Sequence, residues 1–228
     1  MKATRSQRPV TARKRILILD DHPITRYGLT QLLSHEPDLL VCGEAESVAQ
    51  ALEAIPSACP DLVLADITMP GRSGLEFIKD MQAQHPRVAV LVMSMHDETI
   101  YAERVLRAGG RGYIMKNEGG EKLLEAIRQV LQGQVYVSQH MSAALLEVFT
   151  PHRSSAGEAT PSALSHREFE VFQLIGQGLS TRQIGQRLNV SVKTVGTHRL
   201  HIKQKLDLGT GPELVRHAVR WAAAQQLV

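Results

Sequence analysis

Short apolar runs that each stop at a polar residue constrain the fold of this chain more than any other feature of its sequence. Four such runs are Ile16–Leu19, Leu62–Ala65, Val88–Met93 and Tyr113–Met115. Runs of this kind, rich in β-branched residues and bounded by turn or helix signals, predict buried strands. Because the carboxyl ends of parallel strands lie along one edge of a sheet, the polar residues that follow these runs are expected to meet there.

The residues at these predicted strand ends are Asp20, Asp21, Asp66, Ser94 and Lys116. Carboxylates hold hard divalent cations, and one carboxylate can act as a nucleophile. Hydroxyl and ammonium groups donate hydrogen bonds to phosphoryl oxygens. Taken singly, each residue has an ordinary interpretation as a helix cap, a turn former or a surface lysine. Their joint placement on one sheet edge favours a site for phosphoryl transfer.

Helical segments separate the predicted strands between residues 15 and 134. Apolar residues at helical spacing predict these helices at Pro23–Leu33, Ser47–Ile55, Ser73–Met81, Thr99–Ala108 and Glu121–Leu131. Strands that alternate with helices over this length are typical of an α/β doubly wound domain, in which helices cover both faces of a parallel sheet.

The last part of the chain, residues 161–228, has no strand pattern and predicts four helices. Ser165 and Glu168 form the signature of a capping box at the start of the first of them, which we expect to end at Gly178. The others are predicted at Thr181–Leu188, from Ser191 or Val192 to Leu206, and at Pro212–Ala224. A short helix, a tight turn and a longer basic helix predict a helix-turn-helix in a small all-α domain.

The charge of the chain is divided unevenly along its length. Residues 1–14 carry five basic side chains and no acid, which predicts a disordered basic tail. Residues 15–134 have a net charge of −6, whereas residues 161–228 have +5. Residues 135–160 are expected to hold a connecting helix, Ser138–Phe149, and a linker rich in Pro, Ser, Ala and Gly. This asymmetry predicts that only the last domain meets a polyanion.

Composition sets the size and the expected location of the protein. A chain of 228 residues that is 43% hydrophobic suffices for two modest domains with real cores. Its two cysteines, Cys42 and Cys59, are expected to be reduced thiols rather than a disulfide framework. Neither a membrane-spanning apolar stretch nor a signal-peptide core is present, so a cytoplasmic location is expected.

Two sets of motifs resemble those of known proteins. The segments DDHP at 20–23, DITMPGRSG at 66–74, MSMH at 93–96 and GYIMK at 112–116 resemble the receiver domains of bacterial two-component response regulators. The segments LSHREFEVFQLIGQGLSTRQIGQRL at 164–188 and VSVKTVGTHRLHIKQKL at 190–206 resemble the LuxR-type output domain of the NarL/FixJ-like subfamily. The resemblance covers nearly the whole chain except the tail and the linker.

The receiver resemblance implies a flavodoxin-like fold and a role for each strand-end residue. Asp66 is implied to accept a phosphoryl group from a sensor histidine kinase, and Lys116 and Ser94 to contact the phosphoryl oxygens. The implied ligands of Mg²⁺ are Asp20, Asp21, Asp66 and the backbone carbonyl of Thr68. For Tyr113 two interpretations are open: a core aromatic residue, or a switch whose ring turns inward when Ser94 moves.

The third helix of the last domain is implied to be the DNA recognition helix. We expect Val195, Ile202 and Leu206 to face the core, as their helical spacing indicates. The opposite side, here called the groove face, consists of Lys193, Gly196, Thr197, Leu200 and Gln204. On it, Thr197 is suited to a base edge and Leu200 to a thymine methyl group. Phosphate contacts are expected from Thr194, Arg199, His201 and Lys203, while His198 fits either a phosphate contact or a packed core histidine.

The resemblance implies a phosphorylation-dependent transcriptional regulator whose partners are a histidine kinase, promoter DNA and RNA polymerase. It implies no enzyme activity beyond the receiver's own phosphorylation and dephosphorylation. A homodimer is expected through the last helix, on an apolar stripe of Leu214, Val215, Ala218, Val219 and Ala222.

Two other classes of function, and several departures from the family pattern, qualify this interpretation. A haloacid-dehalogenase-like phosphatase also uses an Asp after a buried strand, but it needs a second acid two residues later, where Thr68 stands. A regulator that acts without phosphate is the second alternative. Asn117 follows Lys116 where many receivers have Pro, and Ser94 replaces a more frequent Thr. Gly185 and Gly196 fall inside predicted helices, each at a cost of about 1 kcal/mol relative to Ala.

Overall fold

The computed structural model describes residues 12–69, 74–95, 98–139, 141–142 and 161–224. The chain divides into two compact units, Met1–Glu147 and Val148–Val228. In the described ranges, no helix has both the length and the apolar character needed to span a membrane.

The first unit contains a five-stranded parallel sheet. Its strands are β1 Lys14–Leu19, β2 Leu39–Ala45, β3 Leu62–Asp66, β4 Ala89–Ser94 and β5 Gly112–Met115, in the spatial order β2-β1-β3-β4-β5. Five helices alternate with the strands: α1 Pro23–Ser34, α2 Val48–Ala58, α3 Gly74–Gln84, α4 Glu98–Arg107 and α5 Gly120–Leu131. The predicted doubly wound fold is therefore confirmed.

The central strands are buried on both faces, which explains why they are continuous apolar runs rather than alternating ones. Every residue of β3 is buried, and Ile16–Leu19 of β1 is fully inaccessible. One core cluster joins Ile18, Leu64 and Ile114 of the sheet to Leu33 of α1 and Ile127 of α5. This packing fixes the positions at which the strands end and so brings the polar residues that follow them to one edge.

The strand β2 was not among the four strands predicted from sequence. It lies at an edge of the sheet, and only its terminal residues Leu39 and Ala45 are buried. The residues between them include Cys42, Gly43 and Glu44, which interrupt the apolar run. An edge strand whose middle residues are only partly buried needs no continuous apolar sequence, so its signal is weak.

The boundaries of the predicted tail, connecting helix and linker can be compared only in part. Lys14, which we placed in the tail, begins β1, and its ammonium group donates a hydrogen bond of 3.0 Å to Asp61. Most of the predicted helix Ser138–Phe149 lies outside the described residues. Residues 150–160 of the predicted linker also lie outside them. The first three residues of the predicted last domain, Pro161–Ala163, form a 3-10 helix.

The described part of the second unit contains four α-helices: α6 His166–Gly176, α7 Thr181–Arg187, α8 Val192–Lys205 and α9 Gly211–Ala224. The predicted capping box is present, since Ser165 and Glu168 satisfy each other's backbone N–H groups. Gly178 and Asn189 adopt positive φ angles of 81° and 52°, which end α6 and separate α7 from α8. The predicted helix-turn-helix is confirmed.

The predicted dimer stripe on α9 is divided by the structure. Leu214, Ala218 and Ala222 are fully buried in the unit's own core, so assigning them to a dimer surface was wrong. Gly176 of α6 makes this packing close, because a Cβ atom there would lie 2.6 Å from the backbone oxygen of Ala218. Val215 and Val219 are the apolar residues of the stripe that remain exposed, at 38% and 41%.

Candidate phosphoryl-transfer site and nucleic-acid interface

A crevice at the carboxyl edge of the sheet holds the strand-end residues. Asp66 and Ser94 are the last residues of β3 and β4, while Asp20 and Lys116 directly follow β1 and β5. Since these four strands are neighbours in the order β1-β3-β4-β5, the residues lie side by side. The sheet topology thus brings the predicted site together.

Lys116 bridges two of the carboxylates. Its Nζ atom donates hydrogen bonds to Asp20 Oδ2 at 2.6 Å and to Asp66 Oδ2 at 2.7 Å. The three side chains are only 13%, 1% and 4% exposed, respectively. Burial lowers the pKa of Lys116, but the two carboxylates more than offset this, so its pKa is raised and the ammonium remains charged.

Asp66 is held in a low-dielectric position with few donors. Burial raises the pKa of Asp66, and the nearby Asp20 carboxylate adds to the rise, while Lys116 and the backbone N–H of Thr68 oppose it. That N–H donates to Asp66 Oδ1 at 2.9 Å. A carboxylate held in this way can act as a nucleophile.

Asp20 and Asp21 occupy different environments although they are adjacent in sequence. Asp20 is fully buried, and its Oδ1 atom accepts a hydrogen bond of 2.8 Å from the backbone N–H of His22. Asp21 is partly exposed, but its Oδ1 atom is buried and has no hydrogen-bond partner in the described part of the chain. An orphaned carboxylate oxygen in an acidic crevice is suited to a cation.

The crevice can hold a metal ion. One potential ligand atom from each of Asp20, Asp21, His22 and Asp66 lies within 4.8 Å of the others. Three of these groups are carboxylates, the oxygen donors that Mg²⁺ prefers. The fourth, His22, was missed as a site residue from sequence: its Nδ1 atom lies 2.9 Å from Asp21 Oδ1, outside hydrogen-bond geometry. Its position directly after the acid pair was the available signal.

Ser94 and Tyr113 are both fully buried. The backbone oxygen of Ser94 accepts a hydrogen bond of 2.8 Å from the N–H of Lys116, which ties the end of β4 to the end of β5. The ring of Tyr113 already occupies the interior, the position that we expected only after Ser94 moves. The structure therefore places it as a core aromatic residue in this conformation.

The loop after Asp66 is kept close to α3 by a glycine. A Cβ atom on Gly74 would lie 2.7 Å from the Cα atom of Ile67, so only glycine fits there. The side chain of Thr68 in this loop is exposed. At the end of β5, the peptide bond between Lys116 and Asn117 is trans, as are the other described peptide bonds.

The recognition helix α8 presents the two predicted faces. Val195, Ile202 and Leu206 are at most 3% exposed and pack in the core, as predicted. All five residues of the groove face are exposed, and Leu200 is 49% accessible. A Cβ atom on Gly196 would meet nothing within 4 Å, whereas one on Gly185 would lie 2.9 Å from the Val190 oxygen. Gly185 therefore permits close packing of the turn, and Gly196 leaves the groove face open.

The residues predicted to contact phosphates are less uniform. Thr194 and His201 are exposed, and Arg199 and Lys203 are partly exposed. His201 Nδ1 lies 3.6 Å from Glu168 Oε1 of α6, which draws this ring toward the domain's own acid. The Nδ1 atom of His198 is buried without a partner among the described residues, and burial lowers the pKa of His198. These observations favour the packed interpretation of His198.

Comparison with protein families assigns both halves of the chain. The family described as "Response regulator receiver domain" matches residues 16–128. The family described as "Bacterial regulatory proteins, luxR family" matches residues 162–218. Over 210 residues the chain is 37% identical to the oxygen regulatory protein NreC of Staphylococcus haemolyticus, covering 90% of this chain and 97% of that protein. The chain is a response regulator.

Other relatives agree with this family. NreC of Staphylococcus carnosus is 35% identical over 210 residues, with the same coverage. The response regulator RcsB of Salmonella typhimurium shares the fold, with a TM-score of 0.65 at 23% identity over 92% of this chain and 98% of that one. ChrA, a response regulator in a heme-sensing two-component system, has a TM-score of 0.51 at 29% identity, covering 96% and 100%.

This response regulator joins a receiver domain to a LuxR-type helix-turn-helix and belongs to the NarL/FixJ-like group. A chain of this construction is a phosphorylation-dependent transcription regulator. The receiver domain implies a histidine kinase as its partner.

Proposed function

We propose that Asp66 is the phosphoacceptor of this regulator and that a sensor histidine kinase is the donor. The observation that carries the proposal is the bridge from Lys116 Nζ to Asp66 Oδ2 and Asp20 Oδ2, at 2.7 Å and 2.6 Å, in a crevice that is almost inaccessible to water. It supplies a nucleophile together with a cation that is already in place to receive negative charge.

The transfer conserves atoms and charge as follows. A carboxylate oxygen of Asp66 attacks the phosphorus, the N–P bond of the kinase phosphohistidine breaks, and its electron pair returns to the imidazole. The ammonium group of Lys116 stabilises the phosphoryl oxygens as charge develops on them. The hydroxyl group of Ser94, at the end of the neighbouring strand, then hydrogen-bonds the product.

We propose Mg²⁺ as the metal of this site. Asp21 and Asp66, together with the Thr68 carbonyl, would hold it directly, and Asp20 would act through water. The orphaned Asp21 Oδ1 atom and the oxygen-rich donor set support this choice. When bound, Mg²⁺ neutralises the repulsion between the nucleophile and the incoming phosphoryl group.

The kinase has an exposed apolar surface available beside the crevice. Ile24 and Tyr27 of α1 are 87% and 67% exposed, and Met95, directly after Ser94, is 70% exposed. A shallow cavity of about 380 Å³ between α1 and the start of α5 includes Met95 and Lys116 in its lining. We place the kinase domain that carries the phosphohistidine on this surface, because docking there brings the histidine to Asp66.

The groove face of α8 is proposed to enter the DNA major groove. RcsB, which shares the fold, has been solved in complex with DNA. Here the exposed Thr197 and Leu200 supply a hydrogen-bonding group and an apolar group, while Lys193 and Lys203 supply positive charge. Since its target is promoter DNA, we place the protein in the cytoplasm with RNA polymerase as a further partner.

A homodimer is proposed through the exposed side of α9. Val215 and Val219 line a shallow groove of about 580 Å³ with Leu208, Arg216 and Arg220. Pairing of two copies covers this apolar strip and positions two recognition helices on two half-sites. Sedimentation of the full chain with a half-site pair and with a single half-site tests whether the second copy joins on DNA.

The phosphoacceptor is tested with acetyl phosphate and Mg²⁺, followed by mass measurement of the intact chain. One phosphoryl group is expected on the wild type and none on Asp66→Asn. Asp61→Asn is the matched control, because Asp61 directly precedes the other end of the same strand, where its carboxylate accepts from Arg15 N at 2.8 Å. Undiminished phosphorylation of Asp66→Asn would refute the assignment.

The metal is tested by the dependence of the phosphorylation rate on Mg²⁺ concentration. Asp21→Asn is expected to require at least about tenfold more Mg²⁺, since the loss of even an outer-shell partner of a metal typically costs that much affinity. An unchanged dependence would mean that Asp21 only caps the start of α1.

A further inference from the structure

The chain that leaves the receiver unit is attached to the free edge of the sheet. After α5, residues 134–138 run parallel to β5, where Tyr136 forms a bridge with Gly112. The N–H of Tyr136 donates to Arg111 O at 3.0 Å, and the N–H of Tyr113 donates to Tyr136 O at 2.9 Å. This segment thus covers backbone groups that an edge strand otherwise exposes.

The sequence of β5 is adapted to this attachment. A Cβ atom on Gly112 would lie 2.7 Å from the Tyr136 oxygen, so any larger residue displaces the segment. The Tyr136 side chain is 8% exposed and belongs to the core cluster that contains Ile114 and Ile127. The segment is therefore anchored by both its backbone and its side chain.

Ser138, two residues later, contacts α4. Its Oγ atom donates a hydrogen bond to Glu98 Oε1, in the first turn of that helix. The same Oγ accepts from the N–H of Met141 at 3.2 Å, and Ser138 O accepts from the N–H of Ser142 at 2.9 Å. The Ser138 hydroxyl group thus joins the first turn of α4 to the backbone at Met141.

Glu98 makes this contact at an energetic cost. It is 8% exposed, and its second oxygen, Oε2, has no hydrogen-bond partner within the described residues. Burying a carboxylate oxygen without a donor costs free energy, which offsets much of what the Ser138 hydrogen bond contributes. A contact with a small net stabilisation is readily broken or re-formed when α4 shifts.

Glu98 is also close in sequence to the phosphoryl site, because it lies four residues after Ser94. We propose that the hydrogen bond between Ser138 and Glu98 transmits the phosphorylation state of Asp66 from the start of α4 to the chain that leads into the DNA-binding unit. Both residues act as positioning residues. The inference rests on the proposed function of Asp66, since a shift of Ser94 toward the phosphoryl group starts the sequence of movements.

The test measures DNA affinity of the full chain with and without beryllofluoride, a phosphoryl mimic, by fluorescence anisotropy. For the wild type we expect about a tenfold difference, within the usual range of coupling between two sites. Glu98→Ala and Ser138→Ala are expected to reduce this to less than about twofold. Glu98→Gln keeps the acceptor and Ser138→Thr keeps the hydroxyl, so both are expected to retain most of the response.

Two controls separate transmission from simple structural damage. Ser138→Asp keeps an acceptor for Met141 N–H but places a second carboxylate against Glu98, so its DNA affinity is expected not to respond to beryllofluoride. A full response would instead assign the Ser138→Ala effect to the lost hydrogen bond with Met141 N–H. Thr30→Ala removes a hydroxyl-to-carboxylate hydrogen bond of 2.7 Å to Glu44 elsewhere in the unit and is expected to respond normally.

Phosphorylation from acetyl phosphate is measured on every variant to separate the two proposals. If the wild type does not become phosphorylated, the proposed function fails. If the wild type responds and Glu98→Ala responds equally, the proposed function stands and the transmission proposal is overturned. Normal phosphorylation with a lost DNA response in Glu98→Ala and Ser138→Ala supports the transmission proposal.

Discussion

The acidic crevice and the recognition helix use charge in opposite ways. In the crevice, Lys116 is 13% exposed and holds two carboxylates that are themselves nearly inaccessible. On α8, Lys193 is exposed and Lys203 partly so, at the surface proposed to meet a polyanion. Buried charges depend on specific partners, whereas surface cations act mainly through their sum. The two regions should therefore respond very differently to the same substitution.

The largest contrast is expected from replacing a lysine with methionine in each region. Lys116→Met is expected to slow phosphorylation from acetyl phosphate by about 100-fold, as is typical for the loss of one preorganised charged donor. Lys203→Met is expected to weaken DNA binding only severalfold and to leave phosphorylation unchanged. Single-turnover phosphorylation and DNA anisotropy on both variants measure this contrast. Equal, modest losses in both would remove the distinction between the two regions.

Within the recognition helix, base-reading and phosphate-binding residues should also separate. Thr197→Ala or Leu200→Ala is expected to lose about 1–3 kcal/mol of discrimination between matched and mismatched sites. Lys203→Ala is expected to weaken all sequences alike and to reduce the salt slope by about 1. Titrations on one matched and one mismatched duplex at several salt concentrations provide the measurement. If both kinds of substitution lower affinity uniformly, the groove face is not the reading surface.

The crevice was predictable because topology alone brings strand ends together. Once Asp66 and Lys116 were placed after buried strands, a parallel sheet required them to meet, whatever the details of packing. The stripe on α9 was not predictable in the same way: an apolar face at helical spacing does not reveal whether its neighbour is the same chain or a second copy. Leu214 and Val215 are adjacent in sequence, yet one is buried and the other exposed.

Other features depend on contacts that no local pattern encodes. The edge strand β2 lacks a continuous apolar run. The ring of His22 lies beside both Asp20 and Asp21, with Nδ1 at 3.2 Å and 2.9 Å from their Oδ1 atoms, only because the chain turns there. The position of the Tyr113 ring depends on conformation, and the link between Ser138 and Glu98 joins residues that are distant in sequence. Sequence reasoning succeeds where the strand order alone determines the position of a residue. It fails where the position depends on how side chains pack.

Two glycines of the DNA-binding unit allow a buried helix contact to be compared with an exposed helix surface. Gly176→Ala is expected to destabilise the unit by about 1–3 kcal/mol, because the new methyl group meets the Ala218 backbone oxygen at 2.6 Å and the Ala222 Cβ atom at 2.9 Å. Gly196→Ala is expected to stabilise it by about 0.5–1 kcal/mol, since the methyl group enters open space inside a helix.

The measurement is urea unfolding followed by fluorescence. Trp221 is the sole tryptophan of the chain and packs on Phe169 and Phe172, with ring centroids 5.3 Å and 5.6 Å away, so it reports on this unit in the full protein. Gly196→Ala is also expected to bind DNA more weakly despite its greater stability, because it lies on the groove face. Stabilisation by both substitutions would show that α6 and α9 are not closely packed.

The last contrast concerns a charge pair with one buried and one partly exposed partner, Glu168 and Lys205. Glu168 Oε2 accepts a hydrogen bond of 2.7 Å from Lys205 Nζ, which joins α6 to the end of α8. Burial raises the pKa of Glu168, but Lys205 and the groups of Ser165 more than offset this, so its pKa is lowered overall. Because the folded state holds the carboxylate below its ordinary pKa of about 4.3, the pair stabilises the fold fully above that pH.

This stabilisation is expected to be lost as the pH falls through the lowered pKa of Glu168. We expect Glu168→Gln to be about 1 kcal/mol less stable than the wild type at neutral pH, given that Lys205 is 41% exposed to solvent. The glutamine keeps an acceptor for Ser165 N–H, so the difference isolates the charge. Once the pH has fallen below the lowered pKa of Glu168, the two proteins are expected to converge in urea unfolding monitored by Trp221. If the difference in unfolding free energy persists unchanged at acidic pH, the effect is due to packing rather than to the ion pair. Glu168 would then contribute to stability mainly through its contacts in the buried core of the unit.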